Sequence, residues 1–248
     1  MKGPSRDMKY LQAEAWKNLS GVIHGFGFWQ DKPEEVRKKD FRGWSLRERG
    51  RSFPLVSVRQ VHGDQVVVIR EMNPTIEEYW EKEGDSLLTR LPGLALGVFT
   101  ADCLPILLFD PLQRAIGAVH AGWRGTAKEI SQKAVKEMIS LFHCRSEDLM
   151  VALGPCIGPC CYEIDEPVRK AFSKGPLPWN SVAHPIGHGK WLFDLQKANQ
   201  YFLKEAGIQE KNITSLRLCT RCEKHRFFSY RGEGDRGRQL SFIALRNG

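Results

Sequence analysis

Residues 94–126, LALGVFTADCLPILLFDPLQRAIGAVHAGWRGT, decide how the rest of the chain is read. They hold three short apolar runs, 94–99, 106–109 and 115–119, each bounded by Gly, Pro or Asp, and such runs read as buried β-strands. The first runs into Asp102 and Cys103, and the third into His120 and a glycine-rich turn. A thiol, an imidazole and the Arg124 guanidinium are thereby set at strand ends, where α/β folds carry their chemistry. Taken singly, such a Cys is a small buried hydrophobe and such a His a structural residue; it is the conjunction that marks a site. Beyond it, Thr126-Ala-Lys-Glu129 has the form of a capping box. With Ala127, Ile130, Ala134, Met138 and Leu141 at helical spacing, it predicts an amphipathic helix that starts at Thr126 with its N-terminus near the site.

The chain of 248 residues, 42% hydrophobic and without internal repeats, has enough apolar content for one domain over 1–248, with residues 1–20 as a variable arm or edge element. No run approaches the ~18 apolar residues of a membrane helix, and the first residues lack a signal-peptide core, so a cytoplasmic protein with no membrane partner is expected. Seven cysteines, an odd number, fit a reducing compartment better than a disulfide framework. Two groups stand out: Cys156, Cys160 and Cys161, and the Cys219-Thr-Arg-Cys222 pair. A C-x-x-C is half of a zinc ribbon or a redox pair, but no second one stands at ribbon spacing, so packed thiols are predicted.

The net charge of +8 is uneven: residues 35–51 carry seven Lys/Arg against three Asp/Glu, and residues 217–248 eight against three. Such patches favour anionic partners. No nucleic-acid-binding motif or repeated aromatic platform accompanies them, which points to phosphate-bearing small molecules rather than nucleic acid. The sequence does not determine an oligomeric state.

Along the chain, 24–29 reads as a glycine-spaced strand, 31–51 as a short helix and loop, and 55–61 and 66–69 as a hairpin around His62-Gly63-Asp64-Gln65. Residues 71–83 read as loop or short helix. Asp85 precedes the apolar run 87–89, and 150–153 is a strand leading into a Gly-Pro turn. Asp165 is placed as the cap of a short helix. His184 and His188 are four apart, but Pro185 and Gly187 between them argue for a loop. A helix begins at Asp194 and stops at Gly207, and 213–218, 227–230 and 240–245 are expected to close the chain as strands.

Catalytic zinc sites take three protein ligands and leave one position open. His62, Cys103 and His120 form a chemically sensible set, although spacing alone does not bring them together. TADCLPILLFDP…AIGAVHAGWRGTA, with Gln60-Val61-His62-Gly63, Gly84–Thr89, GPCIGPCCYEI and Phe228-Ser229-Tyr230-Arg231…Gly237-Arg238, closely resembles the YfiH/laccase-domain family from about residue 20 onward. That family was first described as multicopper polyphenol oxidases and is now regarded as purine nucleoside phosphorylases with adenosine deaminase activity. The resemblance implies a single α/β domain of packed mixed sheets with outer helices in α/β/β/α layers. It also implies a zinc ion on His62, Cys103 and His120, with copper possible because it binds N/S sites more tightly. Its substrates would be adenosine, inosine or methylthioadenosine, with phosphate. Arg59, Arg124 or Arg231 are the candidates for holding the anion, and Asp85 or Asp102 for managing a proton or a ribose hydroxyl. Two departures touch only local contacts: Cys156 where the family often has Ser, and a variant Arg-rich turn after Arg231.

Two other enzyme schemes compete. A thiol hydrolase or deamidase would use Cys103 as nucleophile and His120 as base. Copper-dependent polyphenol oxidation fits less well, because multicopper centres use recurrent H-x-H pairs and the seven His here include none.

Overall fold

The computed structural model describes residues 8–30, 32–71 and 75–246. Side-chain alternation in the central strands divides the interior into separate cores. Along Leu104–Asp110, Leu104, Ile106 and Leu108 face one core, while Leu107 and Phe109 face another. Ala115–Ala121 splits the same way, with Ala115 and Val119 against Ile116 and Ala118. In Ala95–Thr100, Leu96 and Val98 meet that second core and Ala95 and Phe99 a third. Continuous apolar runs are therefore what these strands require, since both faces of each are covered.

Two six-stranded sheets result. The first runs Met8–Leu11, Val22–Trp29, Gln239–Leu245, Ala95–Thr100, Arg51–Val56, Ser45–Glu48. The second runs Ile213–Ser215, Met150–Leu153, Leu104–Asp110, Ala115–Ala121, Ser86–Thr89, Val66–Ile69. Both are mixed: Arg51–Val56 is parallel to Ala95–Thr100 and Val66–Ile69 to Ser86–Thr89, while most other neighbours are antiparallel. Helices Ile130–Phe142 and Leu195–Glu205 cover the outer face of the second sheet. The outer face of the first is covered more thinly, by Ile76–Glu81 and the 3-10 turn Lys38–Phe41. This is the expected mixed α/β architecture, with a third, three-stranded sheet added at one end. No described helix is long and apolar enough to cross a membrane.

Several local expectations fail for identifiable reasons. The predicted hairpin does not form: Arg51–Val56 lies in the first sheet and Val66–Ile69 in the second, so the segment through His62 is a crossing between sheets. The hairpin in this region is instead Ser45–Glu48 with Arg51–Val56, turning on Arg49 and Gly50, both at positive φ. Thr126 does not cap. Helix already runs over Trp123–Ala127, and the chain resets at Glu129, φ 62°, before Ile130–Phe142. Thr126 is fully buried and accepts from Asn199 Nδ2 at 2.9 Å. Residues 227–230 are not a strand: the Gln239 side chain binds the backbone of Phe228 in place of a ladder, and Ser229 caps the short helix Tyr230–Glu233. Asp165 stands at its helix start but makes no side-chain cap bond. Residues 1–7 of the expected arm lie outside the described residues, while Met8–Leu11 is an edge strand. The loop expected between His184 and His188 is not what forms: His184 lies in Ala183–Gly187, an edge strand that tolerates Pro185 through a register shift between Pro185 and Gly187, and His188 lies in the turn that follows.

Within the first sheet His24 is 1% exposed, and its Nε2 accepts from the Ala13 amide at 2.9 Å. Burial, helped by the Arg246 charge, lowers its pKa from 6.5 to about 4. The unfolded chain then binds the extra proton first, so stability is complete above about pH 6.5 and falls until about pH 4. A shift of this size corresponds to a loss on the order of 3 kcal/mol. Urea unfolding at neutral pH and near pH 4.5 should show this loss, and His24→Gln should reduce it; an equal loss in the variant would rule out His24 as its source.

Candidate metal centre

The chain crosses between the two sheets twice at one place, and each crossing delivers a candidate ligand. His62 lies between Arg51–Val56 and Val66–Ile69, and Cys103 between Ala95–Thr100 and Leu104–Asp110. His120 comes from Ala115–Ala121 and continues the parity of Ile116 and Ala118, on the face turned to the other sheet. The donor atoms of His62, Cys103 and His120 all lie within 4.8 Å of one another. The two imidazoles stand edge to face with centroids 4.9 Å apart. His62 sits at φ 59° and Asp102, next to Cys103, at φ 87°, left-handed conformations that are uncommon away from glycine and concentrate at functional sites. The glycines of the HAGWRG turn make room for this. A Cβ on Gly122 would meet Cys103 Sγ at 3.0 Å and the His62 ring at 3.2 Å, and one on Gly125 would meet the Gly63 carbonyl at 2.7 Å.

Asp85 holds the arrangement from behind. It is fully buried and accepts from the backbone amides of Val61, His62 and Gly63 at 3.2, 3.0 and 2.7 Å. Its Oδ1 also lies 2.7 Å from His120 Nδ1. Burial acts to raise the carboxyl, but His120 and the Gly63 and Val61 amides outweigh it and hold Asp85 below the usual carboxylate range. An ionised Asp85 takes the Nδ1 proton of His120 as its hydrogen-bond donor, which leaves Nε2 as the ligating atom, the carboxylate–histidine pairing seen behind metal-bound imidazoles. Asp102 is also behind the cavity. Its two oxygens accept from Thr220 Oγ1 and from the Arg231 amide, each at 2.7 Å. Asp85 and Asp102, the candidates for managing a proton or a ribose hydroxyl, are not among the residues that line the cavity, and their oxygens are taken up by hydrogen bonds to the groups around them.

Cys103 is half-buried. Burial pushes its thiol up, but the facing His120 and His62 imidazoles outweigh this and bring it down to about 6. Burial acts to lower His120, and the Cys103 thiolate and Asp85 carboxylate overcome it and raise the imidazole to about 9. A thiolate and two imidazoles, one backed by a carboxylate, are a donor set that suits zinc and also suits copper.

His62, Cys103 and His120 open into a cavity of about 740 Å³ at the seam between the sheets. Arg59, Arg124 and Arg231, the candidates for holding an anion, all line it. They are not equally available. Arg59 pairs with Glu83 at 2.9 Å, and the Arg231 guanidinium donates to the Glu163 carbonyl at 2.7 Å. Arg124 lies over the Trp123 ring at 4.4 Å and, among the described residues, has no carboxylate partner. Sequence reasoning missed Lys38, Gln60, Trp123 and Tyr162 in the cavity wall. Lys38 lies over the Trp80 and Phe99 rings, and burial first, then Arg42, lowers its pKa to about 8. Gln60 bonds both backbone groups of Phe99, taking the place of a strand partner beyond the point where Arg51–Val56 stops pairing. Gln60, Trp123 and Tyr162 stand inside the quoted motifs Gln60-Val61-His62-Gly63, HAGWRG and GPCIGPCCYEI, and Lys38 in the basic segment 35–51, which was the signal available for each. A separate cavity of about 460 Å³, around Gln200 and Arg217, contains none of the predicted site residues.

Residues 23–246 match the family described as multi-copper polyphenol oxidoreductase laccase. The chain is 38% identical to purine nucleoside phosphorylase YlmD of Geobacillus stearothermophilus, over 79% of this chain and 74% of that protein. It is 39% identical to adenosine deaminase RL5 of an unknown prokaryotic organism, over 73% and 70%. The crystal structure of Bacillus licheniformis YfiH superposes with a TM-score of 0.81 at 26% identity, covering 98% of each chain. By sequence and by fold, the chain belongs to this laccase-domain family of enzymes, among whose relatives are YfiH and YlmD.

Proposed function

We propose that the chain is a zinc-dependent purine nucleoside phosphorylase that also deaminates adenosine, working as one domain in the cytoplasm. Adenosine, inosine and methylthioadenosine are the nucleosides, and phosphate is the second substrate. The observation that carries this reading is the carboxylate-backed His120 beside His62 and Cys103, opening into a cavity whose walls are cationic and aromatic. The names of the similar proteins support the substrate class.

His62 and His120 would hold the metal by ring nitrogens and Cys103 by its thiolate. A zinc ion held there would lower the pKa of a water so that hydroxide is available near neutral pH, the nucleophile needed at C6 of adenosine as ammonia leaves. Asp85 keeps the Nδ1 proton of His120 and so fixes which nitrogen faces the cavity. The ring faces of Trp123 and Tyr162 suit a purine, and the cations ordered beside them suit an anion. In phosphorolysis a phosphate oxygen bonds to C1′ as the C1′–N9 bond breaks, and the purine leaves with that electron pair. Arg124 is the best placed of the three arginines to position the phosphate, because the other two are engaged with protein oxygens.

A second reading has its own observation. Cys103, His120 and Asp85 also form a nucleophile, base and orienting carboxylate, as a thiol hydrolase requires. The second imidazole, His62, is neither base nor orienting group in that scheme, whereas a metal would use it as a ligand, which favours the metal.

Hypoxanthine should appear from inosine only when phosphate is supplied; release that is indifferent to phosphate would make the reaction a hydrolysis. Arg124→Gln should raise the phosphate KM by roughly ten- to a hundredfold, the worth of one charge-assisted hydrogen bond of ~1.5–3 kcal/mol. An unchanged phosphate KM would remove Arg124 from that role.

Cys103 separates the two schemes. In metal-stripped protein its alkylation by iodoacetamide should rise with pH through about 6, since the thiolate predominates above that value. With zinc bound it should resist, and Cys103→Asp should keep some metal and some deamination because a carboxylate is a competent ligand. Rapid stoichiometric alkylation of Cys103 with zinc retained would establish the nucleophile instead.

A further inference from the structure

Of the five cysteines in the two groups read as packed thiols, Cys156 is buried in the core and Cys161 and Cys219 pack against it only in part. Cys160 and Cys222 are exposed, and Cys161 and Cys219 half-buried. Their four sulfurs gather within 4.8 Å of one another, outside the cavity described above. Cys222 Sγ lies 3.6 Å from Cys160 Sγ and 3.5 Å from Cys161 Sγ. A zinc tetrahedron with Zn–S of about 2.3 Å has S···S edges of about 3.8 Å, whereas a disulfide requires about 2.05 Å. The observed spacing is that of ligands around a common centre.

The backbone also serves the sulfurs. The Gly158 amide donates to Cys219 Sγ at 3.2 Å, the kind of bond that steadies a charged sulfur. A Cβ on Gly158 would stand 3.2 Å from Cys219 Cβ and 3.3 Å from Cys160 Sγ, so the glycine lets the two segments close on each other. They are already zipped beside the cluster, where Cys156 donates its amide to Leu218 and Thr220 donates its amide to Cys156, at 3.2 and 3.0 Å.

We propose that Cys160, Cys161, Cys219 and Cys222 hold a second, structural zinc ion as a closed four-sulfur site. Formation is ligand exchange: four Zn–S bonds form, the thiol protons pass to solvent and no electron is transferred. The metal would lock together two segments that already meet at the Cys156–Cys219 bridge and at the Gly158 amide. One leads directly into Tyr162, in the cavity wall. The other carries Thr220, which bonds Asp102 beside Cys103, and Asp102 in turn accepts from Arg231. The site therefore supports the back of the cavity without facing substrate. It does not rest on the nucleoside reading, since it uses none of the residues assigned there.

The test is zinc content by elemental analysis and native mass spectrometry, on protein purified without chelator and supplied with zinc. The wild type should carry two zinc ions per chain. Cys160→Ser/Cys222→Ser should carry one, with a lower Tm and a raised nucleoside KM. His120→Ala leaves the cysteines untouched and should keep the cluster ion, with X-ray absorption reporting a sulfur-only shell near 2.3 Å. That measurement stands even where the cysteine variant does not fold. A sulfur-free or mixed shell in His120→Ala, no zinc at all in that variant, or an intact mass showing a disulfide among these cysteines would overturn the proposal. Failure of phosphorolysis with the sulfur-only shell present would leave this site standing and remove only the nucleoside reading.

Discussion

The buried carboxylate of Asp85 is the constraint on which the site and much of the topology depend. An ion removed from water costs several kcal/mol unless its lone pairs are filled. Here three consecutive amides and one imidazole fill them. The same bonds hold His62 in its left-handed conformation, fix the face that His120 presents and bring the Gly63 turn against the Gly122–Gly125 segment. Asp85 also stands at the head of Ser86–Thr89, the strand that aligns Val66–Ile69 in parallel. One charge thus ties the order of strands in the second sheet to the position of a ligand.

What could be read from the sequence was what local pattern encodes. The runs at 94–99, 106–109 and 115–119 were identifiable as strands because they are apolar throughout, too short for a buried helix and bounded by Gly, Pro or Asp. The chemical types of His62, Cys103 and His120 were also readable. Their convergence was not, because it depends on two crossings between sheets, and a crossing resembles a hairpin when only the flanking runs and the turn residues are visible. Phe227 and Phe228 misled for a related reason: apolar burial was real, but a glutamine side chain supplied the hydrogen bonds that a strand neighbour would have given.

The aspartates show a different limit. A carboxylate beside an apolar run has the same sequence signature whether it faces substrate or is sealed behind it, and only burial distinguishes Asp85 from a cavity residue. The cysteines show a third. An adjacent pair and a C-x-x-C, far apart in the chain, match no ribbon spacing, yet the bridge between Cys156 and Cys219 brings them together.

Because His62 and Cys103 both stand where the chain passes from one sheet to the other, their distance from His120 is a measure of how well the sheets are docked. A ligand that needs all three donors recognises only the docked form and stabilises it by mass action, by about 2.7 kcal/mol at a hundredfold excess over its dissociation constant. Any fluctuation that parts the sheets at this seam dissolves the site at the same moment. Metal retention and interlayer cohesion are then one equilibrium observed from two sides, and the apolar contacts among Leu96, Leu107 and Ile116 contribute to the affinity of a centre they never touch.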